Sequence, residues 1–252
     1  MKVLIAILLG AFTTLWAPGA VSAQNITEWS SENRITLAFK VNPDALQKLL
    51  PAGWVPVPST AAGTPGANLN VTMMERVIVL DPQGKPLRTG SSRYMVLGVP
   101  VRNTLTGQTN TMIAGGLSPE GPGAYGVYLT ATTATVERTV SGEAEAHARV
   151  QEAWTFAAAS GERVELRVAY RRGPVSKVHV EQVLRSAKTP TFQRTYRIDQ
   201  AGDVVRSAST PDRVDQLSFK ATGPALAPIF NGSEQLLGVT TIPYYVREIS
   251  IP

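Results

Sequence analysis

The 252-residue chain contains no cysteine. That excludes disulfides, thiol chemistry and thiolate metal sites, and leaves stability to an ordinary apolar core. Histidine is almost as scarce, with only His147 and His179. The stretch Glu143-Ala-Glu145-Ala-His147 has ligand-type side chains but no spacing that fixes a metal geometry, so it reads as a solvated acidic segment. A G-x-S-x-G nucleophile elbow is absent. Gly121-Pro-Gly123-Ala-Tyr-Gly126 does match G-x-G-x-x-G, but Ser118-Pro-Glu precedes it and a β-branched run follows. A dinucleotide site needs a strand before that motif and a helix after it, so this is a plain glycine-rich loop. There is no run of basic residues: 24 basic side chains against 19 acidic ones are spread along the chain, and 17 of the basic ones are arginine. Such a dispersed excess does not mark a nucleic-acid partner. No cofactor is implied.

What is present begins with an export signal. Met-Lys is followed by the apolar run Val3 to Trp16, Pro18 and the small-residue site Val21-Ser22-Ala23. This predicts a cleavable secretory signal over residues 1–23, cut between Ala23 and Gln24, and a periplasmic or secreted mature chain without a membrane span. Residues 24–252 then form one domain, with neither repeat nor linker.

The organising stretch is Ile35 to Pro58. Ile35, Leu37 and Phe39 alternate with polar residues, as in a half-buried strand. Asn42 can cap a helix, Pro43 suits its first position, and Pro51 and Gly53 end it. A long strand is expected over Ala67 to Leu80, a turn at Asp81-Pro-Gln-Gly-Lys-Pro, and a return strand over Tyr94 to Val101, which Pro100 pushes toward an edge. Residues 102–124 read as irregular loop. Gly126 to Val140, Arg149 to Ala157, Arg163 to Tyr170, Val175 to Leu184, Thr191 to Ile198, Val214 to Lys220 and Tyr244 to Ile251 complete a series of short strands. The expected class is α+β, mainly antiparallel β, closed into a single cone or barrel with one or two short helices, because closure removes exposed edges. A barrel of this size encloses a cavity.

Two groups of polar residues stand out. Lys177, His179 and Glu181 share one face of a strand, either a solvent-facing row or a row inside the cavity where a desolvated lysine could condense with a carbonyl. Glu75 falls in register with the apolar Met73 and Val77. Either a bulge at Met74-Glu75-Arg76 resets the register, or Glu75 faces the cavity paired with Arg93. Tyr94 and Tyr125 suit a pocket mouth.

The strand-helix-Pro unit with ALQKLLPAGW, the LNVTMM strand, Tyr94 in a return strand and the closing GVTTIPYYVREISIP together resemble the acetoacetate decarboxylase family. The resemblance implies an antiparallel β-cone around a small cavity that, in the decarboxylase, holds a Schiff-base lysine. The family's Tyr-x-Glu stands here as Tyr94-Met95-Val96, its acidic position in the preceding strand corresponds to Asn70, and no lysine occurs between 105 and 135, where the lysine pair should fall. The reading is a binder of a small apolar or carbonyl-bearing molecule without imine chemistry, with Asn70, Glu75, Arg93, Tyr94 and Tyr125 as cavity-lining groups. Two other readings stay open: a carbon-carbon or carbon-oxygen lyase acting through a relocated lysine (Lys177), and a partner-binding barrel that uses the loops around 102–124; a homo-oligomer is compatible with each.

Overall fold

The computed structural model describes residues 25–143 and 148–252. The expected signal and most of the Glu143–His147 stretch lie outside the described residues. Among the described residues there are twelve strands and one α-helix: β1 (Asn25–Lys40), α1 (Pro43–Gln47), β2 (Trp54–Pro56), β3 (Leu69–Leu80), β4 (Ser92–Asn103), β5 (Thr109–Ser118), β6 (Leu129–Ser141), β7 (Arg149–Ala158), β8 (Arg163–Arg171), β9 (Ser176–Ser186), β10 (Gln193–Arg206), β11 (Val214–Thr222) and β12 (Gln235–Ile251). One sheet runs β11-β8-β7-β6-β5-β9-β10-β12-β1-β3-β4-β2, and β5 pairs with β4 as well as with β6 and β9. That extra ladder closes β5-β9-β10-β12-β1-β3-β4 into a ring of seven strands. All pairings are antiparallel except the short β5–β6 and β5–β9 contacts.

The ring strands are two-sided, and this places both cores. Ile35, Leu37 and Phe39 of β1, Leu69, Val71 and Met73 of β3, and Met95, Leu97 and Val99 of β4 point outward from the ring and are buried. They pack against Val150, Trp154 and Phe156 of β7 and Val164, Leu166 and Val168 of β8, so the β6-β7-β8-β11 extension covers the ring's outside. Phe39 meets Phe219 and Phe230 with ring centroids 5.0 and 5.6 Å away. The alternate residues of the same strands point into the ring, where a second cluster forms around Met74, Tyr94, Val96, Ile113, Ile198 and Ile242.

The helix follows its sequence signals. Asn42 Oδ1 accepts from the Asp44 backbone N–H at 2.9 Å, Pro43 opens the first turn, and Leu46 is fully buried against the outer core. An Asn42→Ala variant is expected to lose about 1 kcal/mol, read as a lower urea midpoint at unchanged slope.

Two sequence expectations need correction. Residues 102–124 are not loop throughout, because β5 occupies Thr109–Ser118. Pro100 is not on an edge: it pairs with Thr111 on one side and, on the other, sits where β3 ends at the Asn70–Gly98 pair and β2 begins at Pro56–Val101. Its missing N–H falls in the gap between those two ladders, so no ladder bond is lost.

Candidate functional site

All seven ring strands contribute inward side chains to a cavity of about 430 Å³. The even-numbered residues of β1 and β3 reach it through simple alternation: Arg34 and Thr36 from β1, and Asn70, Thr72, Met74 and Arg76 from β3. The register of β3 holds until Val77, the unpaired residue between the Ser31–Ile78 and Glu32–Arg76 pairs. β12 needs a similar device. Pro243 and Tyr244 together oppose Asn33 alone, so the inward positions change from Ile242 to Tyr245 and Arg247.

A charged cluster forms one wall. Glu32 is buried on β1 and is met by Arg34 Nε at 2.7 Å and Arg247 Nη2 at 2.8 Å, with Arg76 Nε at 3.7 Å. Ser30 Oγ donates to the same carboxylate at 2.9 Å and accepts from Arg247 Nε. Burial by itself would raise the Glu32 carboxyl, but Arg247, Arg34 and Arg76 overcome that penalty and hold it at about 2. Arg76 also pairs with Glu28, and Arg34 lies 3.6 Å over the Tyr245 ring.

Tyrosines lie beside this cluster, with Arg247 5.0 Å over the Tyr196 ring. Tyr125 and Tyr196 share a hydroxyl hydrogen bond of 2.6 Å, and Ser186 Oγ donates to the Tyr125 carbonyl, which fixes the glycine-rich segment against β9. Burial, and next to it the Tyr196 phenol, raises the pKa of both Tyr125 and Tyr128, so these phenols keep their protons. Tyr94 donates to Glu120, which Arg88 also pairs with. The cavity therefore offers guanidinium and phenol donors, a set that binds and polarises oxygen acceptors. Among the described residues that line it, none is lysine.

Asn70, Tyr94 and Tyr125 are thus brought together in the cavity. Glu75 and Arg93 are not. They do pair, at 2.8 Å, but on the ring's outer face, where Arg138 of β6 joins Glu75 at 3.2 Å and also reaches Glu152, the acceptor of the Trp154 indole N–H. Glu75 stays in register with Met73, and the bulge lies at Val77 rather than at 74–76. A lone carboxylate on that apolar face is tolerated because two guanidiniums meet it there. Lys177, His179 and Glu181 also lie outside. The cavity takes Val180, Gln182 and Leu184 from β9, whereas Lys177, with its side chain 69% exposed, pairs with Asp199 at 3.3 Å and Glu181 with Arg197 at 3.2 Å. Val96, the position at which the resemblance led one to look for an acid, does face the cavity and is apolar.

The arginines Arg34, Arg76, Arg194 and Arg247 and the tyrosines Tyr196 and Tyr245 went unmarked by sequence reasoning. The row Glu28, Ser30, Glu32, Arg34, Thr36 was visible as polar alternation, but a strand facing water shows the same pattern.

No family model and no curated protein matches the chain. Solved structures do. The enduracididine biosynthesis enzyme MppR complexed with pyruvate superposes with a TM-score of 0.54 at 12% identity, over 92% of this chain and 91% of that one. An acetoacetate decarboxylase-like enzyme from Sphingomonas wittichii RW1 gives 0.50 at 13% identity, over 96% and 98%. At such identities the likeness is one of fold.

Proposed function

We propose that this chain, which has the acetoacetate decarboxylase-like fold, is an exported protein that holds a small carbonyl-bearing molecule in its ring cavity without forming an imine. One observation carries the reading: the inward side chains supply guanidinium and phenol donors, and no lysine lines the cavity among the described residues. An imine needs an unprotonated amine within bonding reach of the carbonyl, and here the donors can hold a carbonyl oxygen but cannot condense with it. The pyruvate complex of MppR supports the carbonyl chemistry of the ligand class. Export rests on the amino-terminal sequence alone.

Borohydride trapping tests this. The mature protein is incubated with pyruvate or acetoacetate, reduced and weighed by mass spectrometry, with calorimetric titration of the same compounds alongside. Heat of binding without an added mass is the expected result. A reduced adduct on any lysine, Lys177 included, overturns the reading.

A further inference from the structure

Among the described residues five arginines line the cavity: Arg34, Arg76, Arg88, Arg194 and Arg247. Four of them are paired with carboxylates, Arg34 with Glu32, Arg76 with Glu28 and Glu32, Arg88 with Glu120, and Arg247 with Glu28 and Glu32. Arg76, Arg88 and Arg194 each have a buried Nε without a hydrogen-bond partner, but among the described residues Arg194 differs from the other cavity arginines in having no carboxylate beside it. A buried donor left unmatched is costly, so a guanidinium in that condition marks the place of a missing acceptor. Its planar fork matches a carboxylate in particular.

The surroundings of Arg194 describe the rest of the ligand. Arg194 sits opposite Leu184 across the β9–β10 ladder, two residues before Tyr196, and Ile198 pairs with Val180 further along the same inward face. Ile113 adds a further apolar side chain from β5. A hollow of about 430 Å³ falls within the range that encloses drug-sized molecules, roughly 300–1,000 Å³. A three- or four-carbon keto acid leaves most of such a space unfilled, and the lining beside Arg194 includes Leu184, Ile198 and the Tyr196 ring, which gain by being covered with an apolar body.

We infer that the ligand is an amphipathic monocarboxylate: its carboxylate is held by Arg194, and an apolar body of aryl-alkyl size lies along Leu184, Ile198, Ile113 and the faces of Tyr125 and Tyr196. This rests on the reading that the ring cavity is a ligand site, and deepens it by naming the charge and bulk of what enters.

The test compares three probes on the mature protein by calorimetry: phenylbutyrate, which has both features, phenylbutanol, which has the body without the charge, and pyruvate, which has the charge without the body. Phenylbutyrate is expected to bind at least about ten-fold more tightly than either of the others. In Arg194→Met that advantage over phenylbutanol disappears while phenylbutanol itself binds as before, which shows that the cavity is intact. Arg194→Lys restores part of the advantage. Equal affinity for phenylbutyrate and phenylbutanol, or an unchanged preference in Arg194→Met, overturns the inference. Tighter binding of pyruvate than of phenylbutyrate also overturns it, and leaves the cavity standing as a small-ligand site. If none of the three binds, the reading of the cavity as a ligand site falls with it.

Discussion

Replacing Glu32 with glutamine is expected to destabilise the fold by about 3–5 kcal/mol, the cost of removing one partner from a buried ion cluster. Glu32 is 2% exposed and lies among Arg34, Arg76 and Arg247, of which only Arg76 and Arg247 have a second carboxylate, Glu28. Its loss leaves buried guanidinium charge on three ring strands, β1, β3 and β12, facing itself without compensation. In thermal unfolding this corresponds to a fall on the order of 10 °C for a chain of this size. The pH dependence has a definite sign. The folded carboxyl titrates at about 2, below its ordinary 4.5, so its contribution is complete above about pH 4.5 and is lost as the pH falls toward 2. The gap between the two values is worth about 3 kcal/mol. Wild type should therefore lose stability steeply between pH 4.5 and 2, and Glu32→Gln less steeply in the same window. Urea midpoints measured at pH 7, 4.5 and 3 check both statements; a variant as stable as wild type at pH 7 would show that the cluster contributes nothing to the ring.

The second large effect is expected at Gly116. Its φ is +146°, and a Cβ placed there would lie 2.1 Å from the Met95 carbonyl oxygen and 3.0 Å from the Tyr128 ring. The obstacle on the first side is backbone, which a rotamer change cannot relieve. Gly116 pairs with Val96 in the β4–β5 ladder, the ladder that closes the ring. Alanine must push β5 away from β4 there, and a cost of about 3 kcal/mol or more follows from strain and overpacking together. The opening should also be local. Hydrogen exchange of β4 and β5 amides is expected to accelerate well before that of β7 and β8, whose pairings do not touch Gly116. Uniform acceleration across all strands, or no loss of stability, would contradict the role given to this residue.

Gly116 also shows why the ring could not be read in full from the residues. The segment from Thr109 to Ser118 carries two adjacent glycines and borders a Pro-Gly-rich loop, features that ordinarily mark irregular chain. It is a strand because β4 lies close against it, and close backbone approach is one of the uses of glycine in a sheet. Local composition cannot distinguish that use from a turn.

Much else was local and therefore legible. Alternation over Ile35–Phe39 and over Arg163–Tyr170, and the Asn42-Pro43 start of the helix, depend on neighbours within a few residues, so the chain alone determined those strands, the capped helix and the mainly β class. The absence of lysine between 105 and 135 was equally plain; of the five residues expected to line the cavity, Asn70, Tyr94 and Tyr125 do and Glu75 and Arg93 do not. Tertiary structure decided the rest. Which polar face of a ring strand looks inward depends on curvature and closure, and these need pairings between distant parts of the chain, such as β1 with β12 and β5 with β9. Glu75 and Lys177 fell outside the cavity and Arg194 within it for that reason. A polar row beside an apolar one is the same pattern whether it meets bulk water or an enclosed hollow, and only the folded ring distinguishes the two.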